Sequence, residues 1–151
     1  MMGDNMKNRD AHVLDFEVLS RGDIDIVGGK NASLGEMIRA LGAKGIRVPP
    51  GFATTADAFR SFMSSNDLNT GIAAQLDKLA AQKITLSEAG EVIRAMINSG
   101  DWPETTAQDI LSHYRKLGKA HGDDNIAVAV RSSATAEDLP DASFAGQHEP
   151  F

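Results

Sequence analysis

Residues 67–120 carry three successive apolar stripes at helical spacing, after which the chain switches to an unbroken apolar run, Ile126-Ala-Val-Ala-Val130. The stripes are Ile72/Leu76/Leu79, Leu86/Ala89/Ile93/Met96/Ile97 and Ala107/Ile110/Leu111/Tyr114/Leu117, and each predicts an amphipathic helix seeking a partner for its apolar side. The run at 126–130 lacks polar alternation, which predicts a strand buried on both faces. Helical and strand patterns thus occur in one chain. They imply an α+β fold in which the helical segment flanks a small mixed sheet, with further strands near 13–19 and 46–55. Ile46-Arg-Val48 and Phe52-Ala-Thr-Thr55 are the strand-forming pieces of the second region, bent apart by Pro49-Pro50-Gly51, and an Ala/Phe-rich helix should follow to about Ser65. Thr85-x-x-Glu88 reads as a capping box. Asp101-Trp-Pro-Glu104 offers Asp101 as an N-cap with Pro in the first turn, and Gly100, Gly118 and Gly122 are candidate stops.

Composition narrows the function classes. Hydrophobic residues make up 42% of the 151 and charged residues 24%, a balance that supports a packed core rather than wholesale disorder. A formal net charge of -6 opposes nonspecific attraction to a nucleic-acid backbone. The absence of cysteine excludes disulfides, thiolate zinc sites and thiol catalysis, and it suits a reducing compartment, so the cytoplasm is expected. The longest apolar run is far short of the roughly 20 residues that cross a bilayer, so no membrane association is expected. Residues 1–12 are expected to form a flexible tail.

Two segments have the chemistry to hold phosphate. Gly28-Gly29-Lys30 opens a helical pattern (Leu34, Met37, Ile38, Leu41), and at such a mouth free backbone N–H groups, the helix dipole and a lysine together favour an anion. The same glycines also serve simply to turn the chain, with Lys30 solvated. Arg131 ends the apolar run just before Ser132-Ser133-Ala134-Thr135, where its fork of donors suits phosphate oxygens, or else pairs with Glu137 or Asp138. Residues 28–60 hold five basic side chains against two acidic ones, net +3 within a chain of -6. Ser143-Phe-Ala-Gly-Gln147 has the small residues that let backbone approach a ligand. The P-loop and dinucleotide glycine patterns are both absent. His12, His113, His121 and His148 show no metal-ligand spacing and are expected to be structural or solvated; Asp123-Asp124 and Glu137-Asp138 read as loop charges.

VGGKNASLGEMIRALGAKGIRVPPGFATTADAFRSFM and IAVAVRSSATAEDLPDASFAGQHE, taken together, resemble the amino-terminal part of the phosphoenolpyruvate synthases, or pyruvate, water dikinases. The resemblance runs from about Val13 to Phe151. It implies the front portion of an ATP-grasp nucleotide-binding domain at 13–151, with a helical insert at about 67–120, truncated at its C-terminal end. It implies ATP as ligand, with Lys30 and Arg131 on the phosphates, Gly28 and Gly29 at the helix mouth, and Gly146 and Gln147 in a loop covering the nucleotide. Mg²⁺ is implied as well, held by acids outside this segment, and pyruvate is reached only through domains this segment lacks. No catalytic residue lies in the segment, so the isolated 151-residue chain is expected to be inactive. Where relatives read Gln-Gln-Glu-Thr-Phe, this chain reads Gln147-His-Glu-Pro-Phe151, so no phosphate contact is carried over to Pro150. Rifampin phosphotransferases and pyruvate, phosphate dikinases share the first motif and are the alternatives within the class. A non-catalytic nucleotide-binding module is the alternative outside it. Oligomeric state is not legible.

Overall fold

The computed structural model of the chain describes residues 11–135. It is α+β and dominated by helices. Strand β1 (Val13–Asp15) leads through one 3-10 turn at Phe16–Val18 and another at Arg21–Asp23 into a short helix α1 (Ile24–Val27) and the longer α2 (Gly29–Gly42). Strand β2 (Phe52–Thr54) follows, then α3 (Ala56–Ser65), α4 (Leu68–Ala80), α5 (Leu86–Asn98) and α6 (Glu104–His121). The two strands pair antiparallel, with Val13 opposite Thr54 and Asp15 opposite Phe52. Phe16 N–H extends the ladder by donating to the Gly51 carbonyl at 2.9 Å.

The expected strand at 46–48 is not formed. Gly45 turns the end of α2 in the left-handed region (φ 76°), and Ile46 N–H folds back to the Leu41 carbonyl at 3.0 Å. Pro49 and Pro50 bring no N–H to a ladder, so pairing can begin only beyond them. The expected doubly buried strand at 126–130 is also corrected. The segment takes no regular secondary structure and joins no sheet among the described residues, and Val128 and Val130 are 49% and 65% exposed. A continuous apolar run needs neighbours on both edges and layers on both faces, and the described sheet is a two-stranded antiparallel ribbon, not a mixed sheet of three regions.

The helical segment follows its periodicity. Three helices fill 68–121, and the capping box at Thr85 forms in both directions, with Glu88 N–H donating to Thr85 Oγ1 at 3.2 Å and Thr85 N–H to Glu88 Oε2 at 2.8 Å. The cap assigned to Asp101 is corrected: Pro103 holds the N-cap position of α6 and no side chain caps it. Asn66, at the end of α3, explains the difference. Its side-chain amide accepts from Asp101 N–H at 2.7 Å and donates to the Asp101 carbonyl at 2.9 Å, clamping that backbone ahead of the helix.

Two apolar clusters result. Leu19, Ile26, Val27, Ala32 and Ala53, flanked by Leu14 and Phe16, pack under α2 and the ribbon. Phe62, Met63 and Leu68, with Ile72 and Met96, join α3, α4 and α5, and Trp102 lies against Phe62 with ring centroids 5.4 Å apart. Leu19 is fully buried, contributing about 2 kcal/mol by removal from water. Helix α2 can lie on it because of Gly35, where an added Cβ would stand 2.5 Å from the Leu19 carbonyl oxygen.

Candidate functional site

The mouth of α2 is built by a residue only glycine can be. Gly28, between α1 and α2, has φ 80° and ψ 160°, a conformation essentially closed to residues with a Cβ. Space forbids one too: an added Cβ would lie 2.3 Å from Ser133 Oγ and 2.8 Å from the Ala134 carbonyl oxygen. The first helical bond runs from Ala32 N–H to the Gly28 carbonyl at 3.1 Å, so the N–H groups of Gly29, Lys30 and Asn31 precede the hydrogen-bonded ladder, as at every helix start. Gly28 and Gly29 are buried and Lys30 is exposed.

Two segments separated by a hundred residues therefore meet here. Ser133 Oγ–H donates to the Val27 carbonyl at 3.0 Å, and that carbonyl also accepts from Asn31 Nδ2 at 2.8 Å. Arg131, exposed, stands two residues before this junction. Of the six residues assigned to the nucleotide from the sequence, Gly28, Gly29, Lys30 and Arg131 thus belong to segments that the fold joins. Gly146 and Gln147 lie outside the described residues, as do Glu137, Asp138 and His148. Sequence reasoning misses Ser133: its partner Val27 is 106 positions away, and no short-range pattern announces the contact.

The flank of α2 is set by Glu36, whose Oε1 accepts from Arg21 N–H at 3.2 Å and from Arg39 Nη2 at 2.8 Å. The Arg21 backbone donor, aided by Arg39, holds the Glu36 carboxyl below the usual carboxylate range.

A second polar group ties α6 to the ribbon. Thr106, fully buried, shares a 2.6 Å hydrogen bond with His12 Nδ1, while His12 Nε2 lies 3.8 Å from Asp57 Oδ2 on α3. Thr55 Oγ1–H donates to the Ala11 carbonyl at 2.8 Å and Thr55 N–H to that of His12 at 3.0 Å, so ordered contacts begin ahead of Val13. Asp15 accepts from His113 Nδ1 at 2.7 Å and from Lys116 Nζ, and the Phe52 ring lies 5.7 Å from that of His113. Partial burial alone would raise the Asp15 carboxyl; the hydrogen bonds from Lys116 and His113, with their charges, outweigh it and hold the group below the usual range. Asp15 in turn holds the Lys116 ammonium above its ordinary value. His12 and His113 thus make structural contacts, and among the described residues no group of three or more His, Asp or Glu is placed to hold a metal ion.

A glycine-turned helix mouth followed by a lysine, with an arginine-bearing segment seated on it, is a site suited to the phosphates of a nucleotide. The profile of the family described as "Pyruvate phosphate dikinase, AMP/ATP-binding domain" matches residues 24–151, and the chain belongs to that family. It is 51% identical over 143 residues to a phosphoenolpyruvate synthase of Neisseria meningitidis, covering 94% of this chain and 18% of that protein. It is 49% identical over 141 residues to the phosphoenolpyruvate synthase of Pseudomonas aeruginosa, covering 93% and 18%. For that of Escherichia coli K12 the figures are 49% over 140 residues, 92% and 17%. The chain thus spans less than a fifth of the length of these curated relatives. No helix among the described residues is long and apolar enough to cross a membrane.

Proposed function

We propose that this chain is the phosphate-gripping portion of an ATP-grasp domain in a phosphoenolpyruvate synthase, an enzyme that converts pyruvate, ATP and water to phosphoenolpyruvate, AMP and phosphate through a phosphohistidine. The observation that carries the proposal is the seating of Ser133 and Ala134 on Gly28, which joins the Lys30 and Arg131 segments at one helix mouth. Lys30 supplies a mobile charge and Arg131 a planar fork to the same polyphosphate. Gly146 and Gln147, outside the described residues, are assigned to the same nucleotide. The N–H groups of the first turn of α2 add fixed donors that need no reorganisation when charge builds on the phosphate.

Mg²⁺, when bound, would neutralise phosphate charge. Its ligands are assigned outside this segment. Histidine phosphorylation and pyruvate chemistry are assigned to further domains, in a reducing, cytoplasmic setting. Alone, the chain should bind Mg·ATP no better than roughly millimolar, because a few charge-assisted contacts of about 1.5–3 kcal/mol each barely exceed the freedom lost on association.

The test is a chimera in which this chain replaces the matching segment of the Escherichia coli phosphoenolpyruvate synthase. Pyruvate-dependent AMP release is expected, falling roughly 10- to 100-fold with Lys30→Ala or Arg131→Ala. A folded chimera that releases AMP equally well with both variants would overturn the assignment.

A further inference from the structure

We propose that Ser133 is a positioning residue: its hydroxyl latches the segment carrying Arg131 onto the mouth of α2 and thereby fixes where Arg131 stands relative to Lys30. Between Ile126 and Ala134 two side-chain hydrogen bonds hold the chain among the described residues. They are Tyr114 Oη–H to the Ile126 carbonyl at 2.8 Å and Ser133 Oγ–H to the Val27 carbonyl at 3.0 Å. Among the described residues no strand pairs with 126–130, and Val128 and Val130 are exposed, so neither a described ladder nor the described core sets its course. Five extended residues reach roughly 17 Å, so the Ile126 anchor by itself leaves Arg131 a wide sweep; two residues reach only about 7 Å, so Ser133 confines it.

The latch is seated on the most constrained backbone of the site. Gly28 admits no Cβ because Ser133 Oγ and the Ala134 carbonyl occupy that space, so a loss of the Ser133 bond is felt on both sides of the junction. It is not a device of global stability. The Val27 carbonyl keeps its second donor, Asn31 Nδ2 at 2.8 Å, so Ser133→Ala strands no buried acceptor. Its effect on nucleotide rests on the function proposed above; the latch itself does not.

Amide exchange on this chain, with Ser132→Ala as control, separates the two. Ser133→Ala should speed exchange roughly three- to tenfold in peptides spanning 24–32 and 126–134 while α4 and α5 exchange as before. No change at the junction, or an equal acceleration throughout α4 and α5, would overturn the latch. In the chimera, Ser133→Ala should raise KM for ATP about three- to tenfold with kcat within twofold. If Lys30→Ala raises KM but Ser133→Ala does not, the positioning role fails. If neither variant alters KM, the nucleotide assignment fails, and the exchange result alone decides the latch.

Discussion

The mouth of α2 and the seam between α6 and the ribbon are both made by residues about a hundred positions apart, yet they are built oppositely. At the mouth, backbone meets side chain across a missing Cβ, over an apolar cluster containing Ile26 and Val27. At the seam, titratable side chains do the joining: His12 with Thr106, and Asp15 with His113 and Lys116. Close packing fixes geometry to fractions of an ångström and tolerates no added atom. Polar pairing tolerates shape changes but responds to pH. The mouth of α2 has the first design and the attachment of the helical unit has the second.

The contrast is broken most forcefully at Gly28. Gly28→Ala must leave a backbone region reserved for glycine and displace Ser133, so a loss of about 2–4 kcal/mol in urea unfolding is expected. A variant as stable as the parent would show that the junction yields easily. Thr106→Val tests the seam with little change in volume: the buried hydroxyl goes, His12 Nδ1 loses its partner, and about 1–3 kcal/mol should be lost. If unfolding is unchanged, the His12 bond contributes nothing to docking α6.

Asp15→Asn is the smaller and sharper probe. The folded carboxyl is held below its unfolded value, so its contribution is complete above the unfolded value and fades as pH falls through the folded one. Lys116 is raised, so its share is complete below its unfolded value and fades only as the solution turns strongly alkaline. The parent should therefore lose part of the seam below about pH 4, where carboxylates protonate. Asp15→Asn should lower stability by about 0.5–1.5 kcal/mol at pH 7 and flatten that acid limb. Parallel acid limbs in the two proteins would remove Asp15 from the seam's pH response.

Local pattern carried the sequence reading as far as local physics governs the fold. The 3.6 period marked the helical segment at 67–120, seen as helices at 68–80, 86–98 and 104–121, Ala/Phe-rich composition marked the helix ending at Ser65, and Thr85-x-x-Glu88 marked a cap. The reading failed where a distant group intervened. Asn66 took the Asp101 backbone that had been assigned to a cap 35 positions away. The apolar run at 126–130 carries the pattern of a central strand, but its pairing depends on neighbours the pattern cannot supply. Lys30 and Arg131 were assigned from cation chemistry at a helix mouth and at the end of an apolar run, which is local. Ser133 and the pairs His12–Thr106 and Asp15–His113 were not, since a hydrogen bond across about a hundred residues leaves no trace in spacing.

The central claim, that the Lys30 and Arg131 segments grip one polyphosphate, is tested most directly by titrating Mg·ATP into the chimera and its Lys30→Ala, Arg131→Ala and doubly substituted forms. Each single variant should weaken Kd roughly 10- to 100-fold, and the double variant should fall short of the product of the two, because side chains sharing one ligand are coupled. Single variants that bind Mg·ATP as tightly as the parent chimera would contradict it.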